Sequence, residues 1–304
     1  MISLFAALVL ASSPPAAAPQ AVSAPKLGEA YVMPRTAVRT IKAKSGGEYR
    51  IFVSWPEAPP PPGGYPILYL LDGNESFPVA TTVAHGLGRY LAMEPGVIVG
   101  IGYPSETRRS FDYTPAVPPD RPTILPLGPS GGAEALLAFI ADELQPSIEA
   151  ELPVDPKRRT LSGYSLGGLF TLYTLFNRPD LFQTYVAGSP SIWFGQNEVL
   201  KLESGLAAKL RAARGGRRLF LSAGQYEQDP LPPPGGETEE SRKFADISAK
   251  ARMVDNAREL AGRLDGLKEE GLTVHFQLAP GESHATGTYP AMRDALLGAF
   301  GPRQ

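Results

Sequence analysis

The stretch LSGYSLGGLF, residues 161–170, sets Ser165 between Gly163 and Gly167, with Gly168 directly behind. A short apolar strand-like run precedes it and an apolar helical run follows, so the serine falls on a strand-to-helix turn. On so tight a turn the serine takes a strained backbone, and a Cβ at Gly163 or Gly167 is expected to clash with the neighbouring strand or helix. The hydroxyl is pushed out past the strand end. The amide of Leu166, at the helix start, points to where an acyl oxygen becomes negative. This is a layout for attack on an acyl carbon. A serine hydroxyl is a weak nucleophile at neutral pH, so it needs a base in hydrogen-bond reach and a carboxylate to hold that base in one tautomer.

The chain holds three histidines, which makes the search for the base short. In the nucleophile-elbow arrangement that G-x-S-x-G marks, the chain order is serine, acid, histidine, with the histidine after the last strand. His284 meets this requirement, on a Gly/Ser loop just past LTVHFQLA. His275 lies inside that strand, and His85 sits in a helical stretch before the nucleophile, so both are read as structural. The acid should follow a strand between Ser165 and His284. LFLSAGQYEQDP offers Glu227 and Asp229, and Glu227, nearer the strand end, is preferred. Asp255 and Asp265 fall in a helical segment, and Glu282 is too close to His284 to orient it from behind. A second oxyanion amide is expected from the loop in YLLDGNESF, where Gly73 permits close backbone approach. Trp193 either walls the pocket or packs as core, and the pocket is preferred because it follows the strand beside the nucleophile.

The elements that must carry these residues are legible in outline. YRIFVSWP alternates like a strand after a Gly46-Gly47 hairpin turn. YPILYLLDG and GVIVGIGY are nearly continuous apolar runs, which fit strands buried on both faces of a mostly parallel sheet. RRTLSGYS, TYVAGSPS, RRLFLSAGQ and LTVHFQLAPG read as further strands. Helices are expected over FPVATTVAHGLGRYLAM, over GGAEALLAFIADELQPSIEAEL with a kink at Pro146, and over GGLFTLYTLFNRP, MVDNARELAGRLDGLKEEG and TGTYPAMRDALLGAFG. DPLPPPGGETEESRK reads as an inserted loop. Strands alternating with helices predict one α/β domain over residues 26–304.

Composition narrows the function classes. The 304 residues carry a net charge of -2, with 43% hydrophobic and 20% charged residues. That balance provides no basic footprint for nucleic acid. The absence of cysteine excludes disulfides, thiolate metal sites and a thiol nucleophile. The three histidines show no H-x-x-H or H-E-x-x-H spacing, so neither a metal nor another cofactor is expected. The apolar run Ile2–Ala11, followed by small residues and prolines, predicts a signal segment or leader over residues 1–25, and export. The run is too short for a membrane span, and the expected partner is a small-molecule ester.

The segments YPILYLLDGN, RRSFDYTP, RRTLSGYSLGGLF, GSPSIWF, SAGQYEQ and GESHATGTYPAM together resemble the "putative esterase" branch of the α/β-hydrolases. This branch includes the esterase D and ferric-siderophore esterase types, some of them periplasmic. The resemblance runs from about residue 30 to 300. It implies the α/β-hydrolase fold, a mostly parallel central sheet with helices on both faces, and a serine esterase working through an acyl-enzyme. Carried over by position, it implies Ser165 as nucleophile, His284 as base, and the amides of Gly73 and Leu166 as oxyanion donors; some siderophore esterases work with a Ser–His pair, so the resemblance leaves the acid open. It further implies that Arg108 or Arg109, just before DYTP, faces the acyl side of the substrate, with a siderophore trilactone or similar ester as first expectation. An acyltransferase of the same fold, or an inactive ligand-binding relative, would share these features.

Overall fold

The first hairpin follows from local chemistry. β1 (Thr36–Lys42) and β2 (Glu48–Ser54) pair antiparallel, joined by a turn in which Gly46 has φ 92°. In this computed structural model the described residues are 28–29, 31–87, 90, 92–118, 120–121 and 123–302. The apolar leader, with its expected boundary after residue 25, lies outside them. Residues 35–304 make one compact unit. No described helix is long and apolar enough to cross a membrane.

After the hairpin come β3 (Tyr65–Leu71), α1 (Gly73–Leu87), β4 (Val97–Gly102) and a short helix, α2 (Arg109–Asp112). Next are α3 (Ala133–Phe139), α4 (Gln145–Glu151), β5 (Val154–Tyr164), α5 (Leu166–Asn177) and β6 (Thr184–Gly188). The remainder is α6 (Leu206–Ala213), β7 (Arg217–Gly224), α7 (Glu239–Ala251), α8 (Met253–Leu264), β8 (Leu272–Ala279) and α9 (Thr288–Phe300). The strands form one sheet in the order β1-β2-β4-β3-β5-β6-β7-β8. Only the β1–β2 and β2–β4 pairs are antiparallel.

Both faces of the sheet are covered, as the apolar runs require. Along β3, Ile67, Tyr69 and Leu71 enter one core cluster together with Phe139, Phe170 and Leu264. Leu68 and Leu70 point the other way, into a cluster with Phe77 of α1 and Leu296 and Phe300 of α9. This is the α/β-hydrolase arrangement expected from the sequence.

Three local readings need correction. The kink expected at Pro146 takes the form of a π turn, Ile140–Leu144, just before it. Proline there has no N–H to continue the ladder, and the wider turn ends with the Gln145 amide on the Ile140 carbonyl. The stretch expected as an inserted loop ends in the start of α7. Thr238 Oγ1 accepts from the Ser241 amide at 3.1 Å and Ser241 Oγ from the Thr238 amide at 2.9 Å, a capping box spelled T-x-x-S rather than the commoner T-x-x-E. Helix α6, with Leu206 and Leu210 buried at i,i+4 spacing, was not anticipated.

Candidate active site

Parallel register brings the carboxyl ends of the central strands to one edge. Tyr164 at the end of β5 pairs with Gly188 at the end of β6, which pairs with Ser222 of β7. Gly224, ending β7, pairs with Ala279, ending β8. Each candidate residue lies just past one of these ends: Gly73 after β3, Ser165 after β5, Glu227 after β7 and His284 after β8. This is where open α/β sheets bind ligands.

Ser165 has φ 60° and ψ -117°, a conformation that costs an L-residue on the order of 1–3 kcal/mol. Its surroundings over-determine it. The Ser165 amide donates to the Gly188 carbonyl at 2.9 Å, and the Ser165 carbonyl accepts from the amides of Leu169 at 3.0 Å and Ser191 at 3.1 Å. The glycine requirement is only half as expected. A Cβ on Gly163 would lie 2.3 Å from the Gly167 carbonyl oxygen, a true clash. A Cβ on Gly167 would meet nothing closer than 3.4 Å, whereas one on Gly168 would lie 2.7 Å from the Gly188 carbonyl oxygen. The third glycine, not the second, is the one that lets α5 pack against β6.

Ser165 Oγ lies 3.0 Å from His284 Nε2, and His284 Nδ1 lies 3.1 Å from Glu227 Oε2. The Glu227 side chain is fully buried. Its other oxygen accepts from Ser189 Oγ at 2.5 Å and from the Gly224 amide at 2.7 Å. Burial alone would raise the carboxyl, but the hydrogen bonds and charge of His284, with Ser189 and Gly224, outweigh it and pull Glu227 below its ordinary 4.5. The carboxylate is therefore ionised at neutral pH, facing Nδ1 of the ring whose Nε2 faces the Ser165 hydroxyl. Asp229, the alternative acid, is exposed. His85 is tied to Ser54 Oγ at 3.0 Å, and His275 stacks on Phe220 on the exposed side of β8. Asp255 is held by Gln228 and Arg258.

Gly73 and Leu166 are the first residues of α1 and α5, so neither amide has an acceptor within its own helix. The positive end of α5 thus stands at Ser165, and α1 begins just after Asp72, whose Oδ2 would lie 3.4 Å from a Cβ on Gly167. A Cβ on Gly73 would stand 2.7 Å from the backbone of Gly100 and Ile101, so α1 starts tight against β4.

The substrate-binding candidates divide. Trp193, expected to wall the pocket, is 8% exposed and packs within the hydrophobic core. Just past the end of β6, it enters that cluster together with its neighbours Ile192 and Phe194. Arg108 pairs with buried Asp112 at 2.8 Å and is otherwise 44% exposed. It lines both a groove of about 410 Å³, shared with Thr107, Ser110, Phe111, Leu127 and Pro129, and a second of about 260 Å³. Arg109 is engaged by Asp72. Sequence reasoning missed Tyr164, Ser189 and Asp72. Each stood inside a motif already quoted, but nothing about its residue type alone revealed its partner.

A mostly parallel sheet that presents a serine on the turn after a central strand, within reach of a histidine from the last loop, defines an α/β hydrolase. The family model described as "Putative esterase" matches residues 43–255, and the chain belongs to that family and is a carboxylic ester hydrolase. Ferri-bacillibactin esterase BesA of Bacillus subtilis is 38% identical over 285 residues, 90% of this chain and 92% of that protein. Siderophore triacetylfusarinine C esterase of Aspergillus fumigatus is 35% identical over 260 residues, 79% of this chain and 85% of that one. Among solved structures, siderophore hydrolase EstB of Aspergillus nidulans superposes with a TM-score of 0.79 at 29% identity. That match covers 91% of this chain and 100% of the other.

Proposed function

We propose that this chain hydrolyses the ester bonds of a siderophore, a trilactone being the first choice, through an acyl-serine intermediate. The observation that carries the reading is the unbroken relay Ser165–His284–Glu227, with contacts of 3.0 and 3.1 Å. The relatives' names, which share siderophore ester substrates, support the substrate class.

Ser165 Oγ gives its proton to His284 Nε2 as the oxygen attacks the ester carbonyl. Glu227 stabilises the imidazolium and keeps Nδ1–H oriented. The carbonyl oxygen, now negative, is held by the amides of Gly73 and Leu166, where donors already in place cost no reorganisation. His284 then protonates the leaving alkoxide, the C–O bond breaks, and an acyl group remains on Ser165. Water, deprotonated by His284, attacks that acyl carbon; the bond to Ser165 Oγ then breaks as His284 returns the proton to Oγ, and the acid leaves.

The test is a panel of ferric trilactones beside p-nitrophenyl esters, with products resolved by chromatography. Ring-opened trilactone formed at a higher kcat/KM than any p-nitrophenyl ester is the expected result. Hydrolysis of the simple esters with the trilactones untouched would reject the substrate class. We propose also that the apolar run Ile2–Ala11 directs export. Mass spectrometry should find a mature chain beginning after residue 11 and before about residue 26, outside the cytoplasm. An intact Met1 in the cytosolic fraction would reject it.

A further inference from the structure

By sequence, Arg108 and Arg109 are equal candidates to face the substrate. Their surroundings separate them. Arg109 Nε donates to Asp72 Oδ1 at 2.9 Å and Nη2 to Asp72 Oδ2 at 3.2 Å, a two-point grip. The same Nη2 reaches the Tyr164 carbonyl oxygen at 3.4 Å. The guanidinium also sits 5.6 Å from the ring centre of Tyr113. Tyr113 is fully buried, and its hydroxyl accepts the Asp72 amide N–H at 3.0 Å.

Asp72 is thus held at its side chain by Arg109 and at its amide by Tyr113. It needs holding, because its φ is 52°, a left-handed conformation that an aspartate adopts at a cost. The next peptide unit presents the Gly73 amide. Tyr164, at the far end of the grip, immediately precedes Ser165. Arg109 therefore bridges the end of β3, which carries one oxyanion donor, to the end of β5, which carries the nucleophile. Nε and Nη2 of Arg109 are thus directed at the protein's own oxygens, whereas Arg108 lines the open groove.

We infer that Arg109 is a positioning residue of the oxyanion site: through Asp72 and the Tyr164 carbonyl it sets where the Gly73 amide stands relative to Ser165, and it is not a substrate ligand. This rests on the reading of Gly73 and Ser165 given under Proposed function.

The experiment uses neutral substrate, on which an anion-binding arginine has nothing to hold. In folded Arg109→Met, kcat for p-nitrophenyl acetate should fall about 10- to 100-fold, with KM within about threefold. Affinity for an aryl trifluoromethyl ketone, which becomes an oxyanion on Ser165, should weaken by a similar factor. Asp72→Asn should lose as much, and the double variant no more than the worse single one, because the two act as a unit. Should Arg109→Met fail to fold, Arg109→Lys, which keeps charge but loses the two-point grip, is expected to show the same kcat-only pattern at smaller size. An Arg109→Met with unchanged kcat and ketone affinity, and a raised KM only for an anionic ester, would overturn the inference. A wild type that neither turns over p-nitrophenyl acetate nor takes a fluorophosphonate overturns the hydrolase mechanism, and the positioning role with it.

Discussion

The Tyr164 hydroxyl donates to the main-chain carbonyl of His284 at 2.9 Å, although 120 residues separate them. The same oxygen lies 3.3 Å from Glu227 Oε1, and the Tyr164 ring stands 5.2 Å from the imidazole, centre to centre. Burial, with the charge of Glu227 adding to it, pushes the phenol well above its ordinary value, so it stays a donor. The residue before Ser165 thereby holds the loop that carries His284. Tyr164→Phe should lower kcat about tenfold while costing roughly 1 kcal/mol of stability, through one lost hydrogen bond. Steady-state kinetics beside a denaturant titration checks this, and an unchanged kcat would exclude a role in placing His284.

Ser165→Ala removes one hydroxyl from a half-buried turn and leaves its backbone bonds in place. Turnover should drop by roughly three orders of magnitude or more with the fold intact. A fluorophosphonate should label the wild type at Ser165 alone. A purified, folded variant that keeps most of its activity would sink the serine mechanism.

The two carboxylates on the β7 loop make a paired test. Glu227→Gln should lower turnover by about two to four orders of magnitude through a misheld imidazole, and Asp229→Asn by less than about twofold. If Glu227→Gln costs under tenfold while His284→Ala stays severe, the enzyme works as a Ser–His pair.

Acid should expose Glu227 thermodynamically. Its folded pKa lies below the ordinary 4.5, so its ionised form contributes stability that is present above 4.5 and lost as pH falls through the lowered folded value. The stability difference between wild type and Glu227→Gln should therefore shrink as pH drops below 4.5. Urea titrations across that range measure it, and a difference that stays constant with pH would contradict the assignment.

The glycines around the elbow differ in what they can bear. Gly163→Ala should destabilise by about 3 kcal/mol, because its new methyl meets the Gly167 carbonyl oxygen and neither backbone can retreat. Gly167→Ala finds only ordinary contacts and should stay within about 1 kcal/mol of wild type. Comparable melting temperatures for the two variants would refute this reading of the turn.

The strands β3 and β4 were legible in the sequence because burial on both faces leaves them no polar positions, and Ser165 because the turn's glycines mark it. His284 followed from chain order among only three histidines. The first two are properties of a segment by itself, and the third needs only the order of residues along the chain. Glu227 and Asp229 stand two residues apart on one loop, and only folding buries the first beside His284 and leaves the second exposed. Which glycine behind Ser165 meets another backbone depends on β6, and which arginine is committed inward depends on Asp72, 37 residues earlier. Trp193 became core for the same kind of reason. Residue type and local period fix what a segment can form, whereas the partner of a buried polar or aromatic group is set by parallel register between strands far apart in the chain, and only the tertiary structure decides it.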